Sequence, residues 1–147
     1  AVAPPCALVD CALFDGLAPA AARALAARMP ARALAAGERL FARGDPGDAL
    51  YVITAGSVSV RDPATGQRYV SFSAGMCFGE TAVLDPQGRT ADAVADEASV
   101  VHPLGPELLS QLERDAPQVA AQLHRNLARH LSRRLREAAA AWTLAAG

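Results

Sequence analysis

The residues of this chain best suited to chemistry lie in one short stretch, Phe78 to Ala91. Glu80, Arg89 and the hydroxyls of Thr81 and Thr90 stand there among glycines and small residues. The run Asp85-Pro86-Gln87-Gly88 reads as a turn between the carboxylate and the arginine. Gly79 followed by Glu-Thr-Ala-Val-Leu can open a single helical turn. The free N–H groups at the start of such a turn carry partial positive charge and suit an anion. Gly79 and Ala82 are expected to contribute backbone N–H groups, with Gly79 permitting close approach. The planar fork of Arg89 matches two phosphate oxygens at once. Glu80 would repel a phosphate, but it can accept hydrogen bonds from a sugar hydroxyl. Amides and an arginine for a phosphate, with a carboxylate for a ribose, describe a site for a nucleotide monophosphate.

Each of these residues also has a plainer reading. Arg89 alone could be an exposed turn arginine, and Glu80 a solvated carboxylate at a helix start. Thr90 could be an ordinary β-branched strand residue. Val70 and Cys77 are candidates to line a sugar and base, and equally candidates for core packing. Cys77 reads as a small buried hydrophobe ahead of a redox thiol. His102, His124 and His130 do not assemble a metal site, because six residues put the last two on different sides of a helix. No Ser, Cys or Lys has a base at a recognisable spacing. The expectation is therefore a binding module with no catalytic or metal-ligating residue.

The pattern of the surrounding chain shows what must position this stretch. Residues 1–10 contain two prolines and no period, and read as a tail or linker. Residues 11–30 form an N-terminal helical part, in which Pro19 opens a helix and Pro30 ends it. From 31 to 105 glycines punctuate short segments: Arg39–Ala42, Ala49–Thr54, Ser57–Arg61, Gln67–Ser73, Ala91–Ala95 and Ser99–Pro103. Val58 and Val60 alternate with Ser57, Ser59 and Arg61, as in a half-buried strand. Many short strands at even spacing argue a closed sandwich or roll. Residues 106–147 return to a helical period, with a short helix to about Arg114 and a long one from Pro117 to about Trp142. Val119, Leu123, Leu127, Leu131 and Leu135 fall four apart along the long helix. That stripe is longer than the roll alone can cover, so the helix is expected either to pack on the roll or to self-associate, with Leu127 and Leu131 the expected contact centre.

Composition narrows the class. The chain has 147 residues, suited to one domain, with 52% hydrophobic and 20% charged residues. A net charge of −1 gives no global attraction to nucleic acid or an acidic membrane surface. All basic residues are Arg, and from Pro106 onward six of them face four acids, which reads as the solvated side of a helix. Three cysteines give no pairing framework and no metal-ligand spacing, so a reducing, cytoplasmic setting is expected. No apolar run reaches the length of a membrane span. The opening Ala-Val-Ala-Pro-Pro-Cys lacks a basic region and does not read as a secretory signal. The lack of an initiator Met is expected of a piece of a longer parent.

Phe78-Gly79-Glu80-Thr81-Ala82, then eight residues from Glu80 to Arg89, then Thr90-Ala91, resembles the phosphate-binding cassette of cyclic nucleotide-binding domains. Gly37-Glu38-Arg39-Leu40-Phe41, Gly44-Asp45-Pro46-Gly47-Asp48-Ala49-Leu50-Tyr51-Val52-Ile53 and Gly56-Ser57-Val58-Ser59-Val60 resemble the framework of the same family. The resemblance runs from about Leu13 to Leu135 and is closest to bacterial members. It implies a mainly β fold with flanking helices: an eight-stranded β-roll of jelly-roll type, a double-stranded β-helix, with N-terminal helices and a C-terminal helical lid. It implies a regulatory module for a 3′,5′-cyclic purine nucleotide, with cAMP favoured and cGMP left open by Thr90. Phe78, Gly79, Glu80, Thr81, Ala82, Arg89, Thr90, Ala91 and Val70 are then the expected ligand-binding residues. Thr90 is in a position that, in the family, reaches the phosphate or the purine. The long C-terminal helix would relay binding to an attached effector or a partner subunit. No contact with nucleic acid or membrane is expected of this chain itself. Two rival readings remain: a ligand-free scaffold of the same fold, and the sensor half of a transcription regulator without its helix-turn-helix.

Overall fold

The structure, a computed structural model, describes residues 3–84 and 88–146. The expected Asp-Pro-Gln turn, residues 85–87, lies outside the described residues. In chain order come 3₁₀ turns at Leu8–Asp10 and Ala12–Phe14, then α1 (Pro19–Ala26), β1 (Arg32–Leu34), β2 (Arg39–Phe41), β3 (Leu50–Ala55) and β4 (Ser57–Arg61). After these follow β5 (Arg68–Ser73), β6 (Cys77–Phe78), α2 (Thr81–Leu84), β7 (Asp92–Ala95), β8 (Ser99–Leu104), α3 (Pro106–Asp115) and α4 (Pro117–Ala146). The eight strands form two antiparallel four-stranded sheets, β1-β8-β3-β6 and β2-β7-β4-β5. Together they make the jelly-roll. β1 and β6 are strands that sequence periodicity did not single out. With three and two residues they are too short for a period, and their partners β8 and β3 hold them in place.

The alternation of β3 explains its unbroken apolar run. Tyr51 and Ile53 point between the sheets, where they meet Val58, Phe72, Phe78 and Val101. Leu50 and Val52 point the other way, into a second cluster with Phe14, Leu25, Met29, Leu109, Leu123 and Leu127 from the turns and helices. A strand covered on both faces needs no polar side. His102 belongs to this scaffold. Its Nδ1 donates to Met29 O at 2.8 Å, and its Nε2 accepts from the Thr54 hydroxyl at 3.1 Å.

Two sequence expectations are corrected here. Residues 1–10 are not simply a tail: Leu8 is buried in the helix-side cluster, and the Cys6 N–H donates to Thr54 O at 2.9 Å. Short 3₁₀ turns give no period to read, so only their packing reveals them. Second, Leu127 is no centre of an exposed face. It is 1% exposed and Leu123 0%, whereas Leu131, Leu135 and Trp142 are 36, 71 and 76% exposed. Four residues advance a helix by about 400°, so an i+4 row drifts by about 40° per step. Positions 120, 123 and 127 face the roll. By 135 the row has turned away. Among the described residues no helix is long and apolar enough to cross a membrane.

Asn126 fastens α4 to the N-terminal turns. Its buried amide donates to Leu13 O at 2.7 Å and to Asp15 O at 2.8 Å, and it accepts from Gln122 at 3.0 Å.

Candidate ligand-binding site

Gly79 begins the site. It follows β6 with φ +77°, a conformation that side chains with a Cβ rarely adopt. A methyl group there would lie 2.9 Å from Arg89 Nη1. Gly79→Ala is therefore expected to weaken ligand binding and to lower stability by about 1–2 kcal/mol. Titration and denaturation of the variant check both. The turn α2 follows at once. The Ala82 N–H donates to Gly79 O at 3.1 Å, which draws that amide into the turn itself.

Arg89 is placed from the opposite side. Its backbone pairs with the loop before β3: Arg89 N–H donates to Asp45 O at 2.8 Å, and Gly44 N–H donates to Arg89 O at 2.8 Å. The guanidinium lies over the Phe41 ring, 4.0 Å from its centre. Its Nη1 donates to Gly79 O at 3.1 Å and its Nη2 to Ala49 O at 2.6 Å. The side chain is 2% exposed, and the carboxylate within reach, Asp48 at 3.5 Å, is itself 73% exposed. Arg89 Nε is buried with no hydrogen-bond partner among the described residues. A buried guanidinium with one N–H left unsatisfied is costly unless a further acceptor joins it.

Glu80 carries the complementary signal. Its side chain is 6% exposed, and Oε1 accepts from Arg134 Nη1 of α4 at 2.8 Å. Oε2 is buried without a hydrogen-bond partner among the described residues. The Arg134 guanidinium also stands 5.0 Å from the centre of the Phe72 ring. Nearby, His130 of α4 packs against Phe72, and its buried Nε2 has no hydrogen-bond partner among the described residues. Burial lowers its pKa, with Arg134 and Arg133 acting the same way against Glu80 and Glu137. The shift favours the uncharged imidazole. Burial pushes the Cys77 thiol up to about 12, so it is a core thiol.

Gly79, Glu80, Thr81, Arg89, Thr90 and Ala91 line one cavity of about 150 Å³, together with Phe41, Val60 and Arg134. Six of the nine expected residues thus meet. Phe78 is stacked in the core between Tyr51 and Phe72, Ala82 is buried, and Val70 leans on the inter-sheet core while its β4 partner Val60 lines the cavity. Sequence reasoning missed Phe41 and Val60, and placed Arg134 on a solvated helix face. Arg134 stands 54 residues from Glu80, so no local spacing could have paired them. Among the described residues no group of three or more His, Cys, Asp or Glu could hold a metal ion.

The cyclic nucleotide-binding domain model matches residues 31–114, which include every strand, Glu80 and Arg89. The chain belongs to the cyclic nucleotide-binding domain family. The cyclic AMP receptor protein of Thermus thermophilus is 38% identical over 129 residues, 86% of this chain and 58% of that protein. Glutaminase 1 of Bradyrhizobium diazoefficiens is 34% identical over 128 residues, 87% of this chain but 21% of that protein. The solved cyclic nucleotide-binding domain from Methylobacillus flagellatus superposes with a TM-score of 0.78 at 30% identity, over 84% of this chain and 71% of that one. This chain therefore spans from about a fifth to under three fifths of the length of these two curated relatives. The part held in common is a regulatory domain of the family.

Proposed function

We propose that this domain binds a 3′,5′-cyclic purine nucleotide, with cAMP as the preferred ligand, and that it catalyses nothing itself. The cyclic phosphate takes the unpaired Nε of Arg89 together with the amides that precede Ala82 in the turn after Gly79. The ribose 2′-hydroxyl takes Oε2 of Glu80. The observation that carries this reading is the pair of buried orphans, a donor on Arg89 and an acceptor on Glu80, in residues lining one cavity. They match the two polar ends of a cyclic nucleotide's sugar–phosphate. A ligand-free scaffold has no use for such a pair. The cyclic AMP receptor protein among the relatives supports cAMP as the ligand.

The cavity is smaller than the roughly 300–1,000 Å³ of ordinary ligand pockets. Arg134 reaches into it from α4 and holds the Glu80 carboxylate. A nucleotide must therefore share Glu80 with Arg134 or displace it, and either changes how α4 is held. Ligand shifts the population of α4 positions by no more than its differential affinity for them. The helix passes this to an attached effector, or to a second copy through Leu131, Leu135 and Trp142, within a longer cytoplasmic parent. Association with nucleic acid or membrane is not a property of this domain.

Titration calorimetry with cAMP, cGMP and 5′-AMP tests the reading. Binding of cAMP at micromolar concentration or tighter is expected, with 5′-AMP far weaker. Hydrogen exchange along α4 beyond residue 129 should change with ligand. Silence up to millimolar concentrations of every cyclic nucleotide overturns the reading, and equal binding of 5′-AMP removes the cyclic phosphate as the selected feature.

A further inference from the structure

We propose that Cys6 and Cys11 are a redox-modification site, a vicinal dithiol that a peroxide or a small-molecule disulfide converts to a reversible intrachain disulfide. The two sulfur atoms lie 3.3 Å apart. Reaching the S–S bond length of about 2.05 Å requires a closure of about 1.2 Å, within the range of side-chain rotation. Backbone hydrogen bonds fix the approach. Within the turn, the Asp10 N–H donates to Ala7 O at 3.0 Å and the Cys11 N–H to Leu8 O at 3.1 Å. Either side of the pair is anchored to the roll, by Cys6 N–H to Thr54 O at 2.9 Å and Ala12 N–H to Gly75 O at 3.1 Å. The thiols are thus held together by an ordered segment.

Their surroundings divide the labour. Cys6 is half-buried and open to a reagent, whereas Cys11 is 1% exposed. Burial, then the neighbouring Cys6 sulfur, hold the Cys11 thiol up at about 12. Cys6 is accordingly the attacking thiolate and Cys11 the resolving thiol. With a peroxide, the Cys6 thiolate attacks one oxygen, the O–O bond breaks and hydroxide leaves, giving a sulfenic acid. Cys11 then attacks that sulfur. The S–S bond forms, the S–O bond breaks, and the released hydroxide takes the Cys11 proton to leave as water. Two thiols lose two electrons in all, and the peroxide is reduced. With a disulfide reagent, the Cys6 thiolate displaces one thiolate to form a mixed disulfide. Cys11 then attacks the Cys6 sulfur, the mixed S–S bond breaks, and the second thiolate takes the Cys11 proton and leaves as a thiol. Asn126 ties α4 to the carbonyls of Leu13 and Asp15, just after the pair, so this closure lies next to the helix contact.

The test is oxidation of the folded, reduced chain with oxidised glutathione, and separately with hydrogen peroxide. Trypsin leaves both cysteines on the peptide ending at Arg23, and Cys77 on another. The first peptide should lose the mass of two hydrogens, refuse alkylation, and regain both after dithiothreitol. Cys77 should remain alkylatable once the chain is unfolded. Cys11→Ser should instead stop at a persistent glutathione adduct on Cys6. A wild type that stops at the same adduct, keeps three alkylatable thiols, or links Cys77 overturns the proposal. The wild-type peptide map decides this even if Cys11→Ser folds poorly.

Discussion

Arg89→Ala is expected to weaken cyclic nucleotide binding by about a hundredfold or more. Each Nη keeps a second N–H beyond the one given to a backbone carbonyl, so the phosphate would take Nε and one of these. A hydrogen bond to a charged group contributes about 1.5–3 kcal/mol, and losing two such bonds corresponds to roughly 10²–10⁴ in affinity. The site makes the loss large, since Arg89 is buried and has an unpaired donor there. The comparison variant is Arg133→Ala, from the exposed side of α4, which should bind within a factor of about two of wild type. Arg89→Lys should recover part of the loss, because it restores the charge but not the fork. Arg89→Ala also removes the guanidinium donors to Ala49 O and Gly79 O, the latter keeping the Ala82 N–H, so titrations must be run where melting shows the variant folded. Binding within about threefold of wild type would mean that Arg89 does not hold the phosphate. Glu80→Gln should cost less, because an amide oxygen still accepts from the ribose.

The second large effect lies in α4. Leu127→Ala should cost about 2–5 kcal/mol of stability, the ordinary range for a fully buried leucine in a packed core. Leu135→Ala should change stability by less than about 0.5 kcal/mol, since most of that side chain is in solvent. Denaturant titration of both variants reads the difference directly. The proposed association inverts the order. Leu135→Glu should leave the fold intact and abolish self-association in sedimentation, whereas Leu127→Ala acts through the monomer. If wild type stays monomeric at high concentration with and without cAMP, α4 does not pair with a second copy. If Leu127→Ala proves as mild as Leu135→Ala, α4 is not packed on the roll as described.

The sequence by itself determined the features that depend on near neighbours. Gly79 is required where the chain leaves β6 at positive φ, and that demand is local. Glu80 and Arg89 flank one loop, so their spacing was readable and their approach follows from it. The unbroken apolar run of β3 is the pattern of a strand covered on both faces, and both clusters meet it. Glycines between short segments announced a roll. The tertiary structure alone decided which distant groups complete the site. Phe41 lies under Arg89, and Arg134 meets Glu80 from the far end of the chain. It also decided that Leu127 is core while Leu135 is surface, though both sit in one i+4 row. It brought Cys6 against Cys11, where sequence spacing showed no framework. The physical reason is the same throughout. Backbone conformation and short-range pattern act over a few residues, whereas burial and charge pairing depend on where the roll ends and which helix face crosses it.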